Sequence, residues 1–422
     1  MKPIIYKKFL WILAAISFIV FIFAKTSVAQ NKPLPKPLTL SEAIQIAAKQ
    51  NPEVKAAHSQ VEMVKSEVIQ ARSGFFPQIY FSETFNRTTN PMWAIGTKMI
   101  QGDISQADFD PDNLNDPDAI NNFASAVSMS WSVYDGGQTK IGWQQAQQNH
   151  AAASLTLKRI EQKVITRTAK AYVGLLLAQE NLIVIIQTLK TAKANLKMVR
   201  SRFESGFVVK SDFLRANVRI AELEQQRLEA ESQVKVAKAM LIASMGMSTD
   251  KPLNLVTPFK KCEETKGSAE QWINVALSNR PDLERMTYQE DMAKKEIDKS
   301  RAGHYPNLDL VGNYEIDSED FSDTENNYNI GAVMRVNLFS GHSISAKTKA
   351  AKSSLLRIKE LRKGMELNVG LQTRKSFLKA QSAWKRIQVA KTAVDQAKEG
   401  DMVGVKVPER VRPKDKVFKI LD

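Results

Sequence analysis

The residue types that usually carry chemistry are present in this chain, but they are not gathered into a working constellation. Its 422 residues include four histidines (His58, His150, His304 and His342) and one cysteine, Cys262. The histidines lie far apart, and nothing has the spacing of zinc ligands. A lone thiol makes no internal disulfide, and Cys262 sits in the polar stretch KKCEETKG, where it reads as incidental. Six aspartates (Asp103, Asp108, Asp110, Asp112, Asp116 and Asp118) crowd one segment. Hard cations prefer such carboxylates, yet calcium-loop spacing is missing, and the plainer reading is a solvated loop. No phosphate-binding glycine loop, nucleophile elbow or His-Glu-His helix occurs. No catalytic residue, metal ligand or cofactor is therefore expected, and the chain reads as a non-enzyme.

Charge narrows the partners. The chain carries +15, or +11 once Lys2, Lys7, Lys8 and Lys25 leave with an N-terminal export signal. Its basic residues are dispersed along helices among Glu and Gln instead of clustering with aromatics. They read as a solvated helix face, and nucleic acid is not an expected partner. Phe9 to Ala24 is an apolar run, short for a membrane span of about 20 residues. Ser27-Val28-Ala29 supplies small residues for a signal peptidase. Residues 1–29 thus read as a signal peptide cleaved after Ala29, with an uncleaved anchor as the alternative. Residues 30–38 read as a linker. No later segment reads as apolar enough to span a bilayer as a helix.

The elements follow from periodicity. A helix opens at Thr39 or Ser41 in LTLSEAIQIAAKQ, stops at Asn51-Pro52, and gives way to a second running to about Ser73. Ile79, Phe81, Glu83 and Phe85 share the face of a first strand. Asn90 to Asn122 reads as a long polar loop. Val127, Met129, Trp131 and Val133 then alternate with serines, the period of two of a second strand. Trp93, Trp131 and Tyr134 are candidates for an interfacial aromatic belt. Ala171, Leu175, Ala178, Leu182, Ile185, Leu189, Ala192, Leu196, Val199 and Phe203 are spaced alternately four and three, a heptad seam. One helix from Gln138 to Arg202 would reach on the order of 100 Å. Gly206 suits a left-handed cap, and Ser211 or Asp212 would cap a return helix ending near Gly246.

The pattern then repeats. Asn51-Pro52 is answered by Arg280-Pro281, 229 residues later; Arg72, Gly74 and Pro77 are answered by Arg301, Gly303 and Pro306. Leu308, Leu310, Tyr314 and Ile316 mark a third strand, and Tyr328 through Leu338 a fourth. A seam at Ala383, Ile387, Ala390, Val394 and Ala397 lies 205 residues after its first copy. Residues 39–247 and 268–399 are thus two structural repeats, the second incomplete, joined by a connector at 248–267. After Glu399 the correspondence fails, and Pro408 and Pro413 in the divergent tail, 400–422, exclude a second return helix. A truncated or frame-shifted copy is expected there, the alternative being a natural short variant.

Four strands are too few for a membrane barrel, which takes about eight or more, and open edges are not tolerated in lipid. Other chains must complete the sheet: two copies give eight strands, three give twelve. The alternative is a soluble sheet on a helical bundle.

SEAIQIAAKQNPEVKAA, FFPQI, SWSVYDGGQT and RSRFESGF followed by Asp212, in this order with the half-repeat, resemble the outer membrane efflux protein (TolC) family over about Leu38 to Lys398. That resemblance implies a mainly α fold with β: long coiled-coil helices forming a trimeric α-barrel, and four antiparallel strands per chain contributing to a shared 12-stranded transmembrane β-barrel. It implies a homotrimer in the cell outer membrane with helices in the periplasm, a passive duct for small molecules or proteins in a tripartite efflux or type I secretion system. Its implied partners are a periplasmic adaptor, an inner-membrane pump and the lipid bilayer. It also makes Arg202, Gly206 and Asp212 candidates for the periplasmic tip, at the aperture or the adaptor contact. A periplasmic coiled-coil scaffold without a barrel, and a defective truncated duct, are the alternatives.

Overall fold

The computed structural model describes residues 38–248 and 264–398. The signal-peptide, Cys262 and tail readings lie outside the described residues. In chain order the elements are α1 (Leu40–Gln50), α2 (Pro52–Ser73), β1 (Gln78–Thr88), α3 (Pro91–Ile100), α4 (Pro111–Asn115), β2 (Ile120–Tyr134), α5 (Gln138–Glu204), α6 (Lys210–Ser244), α7 (Ala269–Asn279), α8 (Pro281–Ala302), β3 (Asn307–Ser318), β4 (Glu325–Arg335) and α9 (Ser343–Lys398).

Local chemistry sets the boundaries. At α1, Thr39 and Glu42 form a reciprocal cap: the Glu42 N–H donates to Thr39 Oγ1 at 3.2 Å, and the Thr39 N–H donates to Glu42 Oε2 at 2.8 Å. Ser268 and Gln271 repeat this box at α7, again 229 residues later. Pro52 and Pro281 open α2 and α8, where a missing N–H costs nothing. The order helix, helix, strand, strand, long helix therefore occurs twice. The four strands form one antiparallel sheet in the order β1-β2-β3-β4.

Contacts divide the described residues into two units, 38–43 with Tyr172–Ala243 and Ser248, and Ile44–Ala171 with Ser244–Met247 and 264–398. The first holds an antiparallel helix pair. Its core includes Leu38, Tyr172, Leu175, Leu189, Leu223, Ala230 and Leu241. The Tyr172 hydroxyl donates to the Leu38 carbonyl at 3.0 Å, satisfying the one polar atom of a buried ring. Every residue of the α5 seam from Leu175 to Phe203 is at least partly covered, while most positions between are exposed. The second unit holds the sheet and the α7–α8–α9 packing, with Val54, Val64, Val164, Leu283, Met286 and Val369 buried.

Four expectations are corrected. Residues 90–122 are not one loop: they hold α3, a 3-10 turn at Gln106–Phe109 and α4, and β2 begins at Ile120. Asn90 and Asp110 act as N-caps, each followed by proline, which the polar reading of the stretch passed over. β4 stops at Arg335, so Val336 and Leu338 lie past the strand; its pairing with β3 starts at Asn307 and offers no partner beyond. α6 starts at Lys210, so Ser211 and Asp212 lie inside the helix instead of capping it. An acidic side chain there meets the positive end of the helix dipole. Finally, α5 contains an 18-residue stretch of mean hydropathy 1.5, apolar enough by length and composition to cross a membrane. The Leu and Ile residues between Leu175 and Ile186 account for its apolar character.

Candidate functional site

The sheet has one mainly apolar face and one mainly polar face, the latter also holding Tyr80, Val311 and Val333. Register aligns Ile79 with Met129 and Phe81 with Val127, then Val127 with Tyr314 and Tyr314 with Tyr328. One face thus carries Ile79, Phe81, Phe85, Val127, Met129, Trp131, Leu308, Leu310, Tyr314, Tyr328, Ile330 and Met334. On β4 its apolar side chains lie open, Tyr328 at 74% and Ile330 at 78% exposure. The other face carries Ser128, Ser130, Asp309, Asn313, Asn327 and Arg335. There Ser128 Oγ donates to Asn313 Oδ1 at 2.8 Å, and Arg335 pairs with Asp309 at 2.6 Å. A soluble sheet would cover its apolar face with helices; this one leaves it bare, as a strand array facing lipid does. Glu83 interrupts that face and accepts from the Ser125 hydroxyl.

β1 and β4 each pair on one side only. Their outer rows of N–H and C=O groups are unpaired among the described residues, and such edges demand a further strand. Trp131 lies at one end of the apolar face and donates its indole N–H to the Phe75 carbonyl at 3.0 Å. That arrangement suits a membrane interface. Trp93 does not join it: it sits on α3, outside the sheet.

Of the three residues singled out as a tip, Gly206 lies in the turn between α5 and α6, Arg202 in the last turn of α5 and Asp212 in the first turn of α6. The Phe207 N–H donates to the Arg202 carbonyl at 2.8 Å, and the Gly206 N–H to the Phe203 carbonyl at 3.0 Å. With Gly206 at φ +77°, this is a Schellman cap, the geometry glycine permits. A Cβ at Gly206 would meet nothing within 4 Å, so backbone conformation alone demands glycine there. Arg202 contributes its carbonyl to the turn and exposes its side chain. The Asp212 side chain is exposed and pairs with Arg215 at 3.6 Å. Beneath the turn the Phe203 and Phe213 rings stack at 5.4 Å, tying the two helices together. Phe207, Val209 and Leu214 are exposed around them, an apolar patch that sequence reasoning did not single out. The turn carries charge and apolar surface but no group placed for bond-making.

In the acidic segment Asp108 is paired and Asp110 caps α4. Lys98 and the Ser105 N–H and hydroxyl hold the Asp108 carboxyl down at about 2, with Lys98 Nζ 2.6 Å from Asp108 Oδ1. Among the described residues no cluster of side chains could hold a metal ion.

Comparison with known proteins adds to this geometry. The model of a family described as outer membrane efflux protein matches residues 43–247 and 272–400. The proteases secretion protein PrtF of Dickeya chrysanthemi is 24% identical over 326 residues, covering 74% of this chain and 66% of its own length. The alkaline protease secretion protein AprF of Pseudomonas aeruginosa is 23% identical, with 64% of its length covered. The chain thus spans slightly less than two thirds of these relatives. Among solved structures, the outer membrane protein VceC of Vibrio cholerae superposes with a TM-score of 0.69 at 16% identity, over 85% of this chain and 83% of that one. The open-state MtrE outer membrane channel of Neisseria gonorrhoeae gives 0.61 at 18% identity, over 85% and 75%.

Proposed function

Since this chain belongs to the outer membrane efflux protein family, we propose that it works as a passive, non-catalytic exit duct in the outer membrane, with its helices in the periplasm. In this reading three copies join β1 to β4 edge to edge, giving twelve strands that close into one barrel, while α5, α6 and α9 are among the periplasmic helices. The observation that carries the reading is the sheet: one bare apolar face, one polar face and two open edges on the same four strands. Closing the edges satisfies the backbone, turns the apolar face to lipid and lines a water-filled lumen with Ser, Asn and Asp.

The turn at Arg202, Gly206 and Asp212 is the tip of this duct in the same proposal, the point that meets an adaptor belonging to an inner-membrane pump. Exposed Phe207 and Val209 fit an apolar partner surface there, and Arg202 and Asp212 supply charge around it. Residues 39–247 and 268–399 act as its two structural halves.

Purified protein in lipid bilayers tests the duct. A trimer by light scattering, with discrete conductance steps, is expected. A monomer recovered from the soluble periplasmic extract, leaving bilayers sealed, would remove the reading. Conductance of the Asp212→Ala trimer tests the tip: an unchanged current would take Asp212 out of the aperture.

A further inference from the structure

Helix α3 presents an apolar face that no other described residue covers. Met92, Trp93, Met99 and Ile100 lie along it, with Met92 80% and Trp93 71% exposed. Gly96 stands at the centre of this stripe, where a Cβ would meet nothing within 4 Å. The spacing 92, 96, 99 with 93 and 100 is that of one helix face, and a central glycine lets another helix approach closely.

The opposite face of α3 fixes where the helix sits. Ala94 is buried, and Gln101, just past the last turn, is largely covered. Gln101 Nε2 donates to Asn122 Oδ1 and to the Asn121 carbonyl, both at 2.8 Å. Asn122 Nδ2 donates in turn to Asp317 Oδ1 at 2.7 Å, and Asn327 Nδ2 to Asp317 Oδ2 at 3.1 Å. Asn122, Asp317 and Asn327 belong to the polar face of β2, β3 and β4. Gly102, at φ +70°, lies close against the Glu325 side chain on that same face. Helix α3 touches β2 and β4, which are not neighbours, and so crosses over the end of β3. The helix is therefore anchored on the side of the sheet turned away from the apolar surface, where no lipid would reach its bare stripe.

We propose that this stripe packs against α3 of the neighbouring copies, so that three such helices close the outer mouth of the shared barrel. The proposal rests on the trimeric reading above. Joining copies edge to edge turns their polar faces toward one axis, and each α3, pinned by Gln101, is carried inward with its own sheet. The occupant of the stripe is then the same stripe of another copy: Met92, Trp93, Met99 and Ile100 leave water together around Gly96. The mouth is thus shut by an apolar contact above a polar lumen.

Cysteine pairing tests it on the full chain in lipid. In a Cys262→Ser background, Met99→Cys is expected to give a covalent dimer on oxidation with copper phenanthroline, joining two of the three copies. Ala94→Cys, on the face packed against the sheet, is expected to give none. In the same background, Asn313→Cys on the polar face reports access from outside. Its labelling by a polymer-linked maleimide should be slow, and at least about tenfold faster when Met92, Trp93, Met99 and Ile100 all become serine. A native-gel trimer in which Met99→Cys stays monomeric, or reacts with a lipid-soluble maleimide instead, overturns the closure and leaves the duct standing. A native-gel monomer removes the trimeric reading and the closure with it.

Discussion

The two halves of the chain share an element order but not a means of holding it. In the first, α5 is paired along its seam: Leu175 is 2% exposed, Lys193 bridges to Glu224 at 2.6 Å, and Phe203 stacks on Phe213. In the second, α9 has α7 and α8 as neighbours, and its seam is open at Ile387, 37% exposed, and at Ala390. The junctions differ in the same sense. Asn51 is buried and serves two helices at once: its Oδ1 accepts from the Glu53 N–H at 2.9 Å, and its Nδ2 donates to the Ser244 carbonyl at 2.8 Å. That carbonyl closes the last turn of α6 and also accepts from Thr168 Oγ1 at 3.4 Å. Arg280 stands at the matching position and makes no side-chain cap. Its guanidinium grips Asp282 through two bonds, at 3.0 and 2.6 Å, and reaches Gln372 at 2.9 Å. The lesson is that a repeat conserves positions while the partner available decides which interaction each position makes. Where a helix end arrives, a buried amide ties it down; where none does among the described residues, a largely covered ion pair takes the position.

The largest expected effect comes from breaking the first junction at Gly246. Its φ is +77°, and a Cβ there would lie 2.7 Å from Asn51 Cα and 2.9 Å from the Gln50 carbonyl. Gly246→Ala should cost about 3 kcal/mol or more, read by denaturant unfolding. Gly206→Ala has the same φ but open space around it, so its cost should be only about 1–2 kcal/mol. Equal costs would erase the distinction. Next comes Asn51→Ala, which leaves the buried carbonyl of Ser244 without its amide and removes a cap, for about 2–3 kcal/mol. Arg280→Ala removes a largely covered pair but leaves Arg159 at 3.4 Å from Asp282, so it should cost about 1–2 kcal/mol. The capping boxes are where the halves agree: Thr39→Ala and Ser268→Ala should each cost about 1 kcal/mol. The smallest effect is in pH. Burial raises Glu290, but hydrogen bonds and charge from Lys294 and Arg362 outweigh it and hold the carboxyl below its ordinary value of 4.5. A depressed carboxyl stabilises the fold above that ordinary value and loses its contribution as the pH falls below it. The first half has Val61 and Leu157 at the positions of Glu290 and Arg362. Hydrogen exchange in acid should therefore loosen α8 and α9 before α2.

Periodicity made most of the fold legible. Strands and seams show in the sequence because burial and lipid act on whole faces, so many residues vote together. The turn at Gly206 was legible for a different reason: few residues but glycine tolerate that backbone. What escaped depended on single contacts. α3 was hidden because one short apolar stretch, PMWAIGTKMI, precedes an aspartate-rich run, and the packing of Ala94 and Gln101 beneath it leaves no periodic trace. The start of α6 was misplaced because Ser211 and Asp212 are good caps in isolation, while the backbone turns helical at Lys210. Asp212 was legible as a residue beside the turn, but its pairing with Arg215 depends on rotamers that spacing does not show.

A sheet that ends in two unanswered borders has consequences before any duct exists. In transit, a newly exported chain is adhesive toward anything able to offer a strand, including its own kin in the wrong register. Its survival then depends on how quickly correct neighbours arrive, so yield should climb steeply with the supply of chains. For such a molecule, reaching the native conformation and finding companions are the same event.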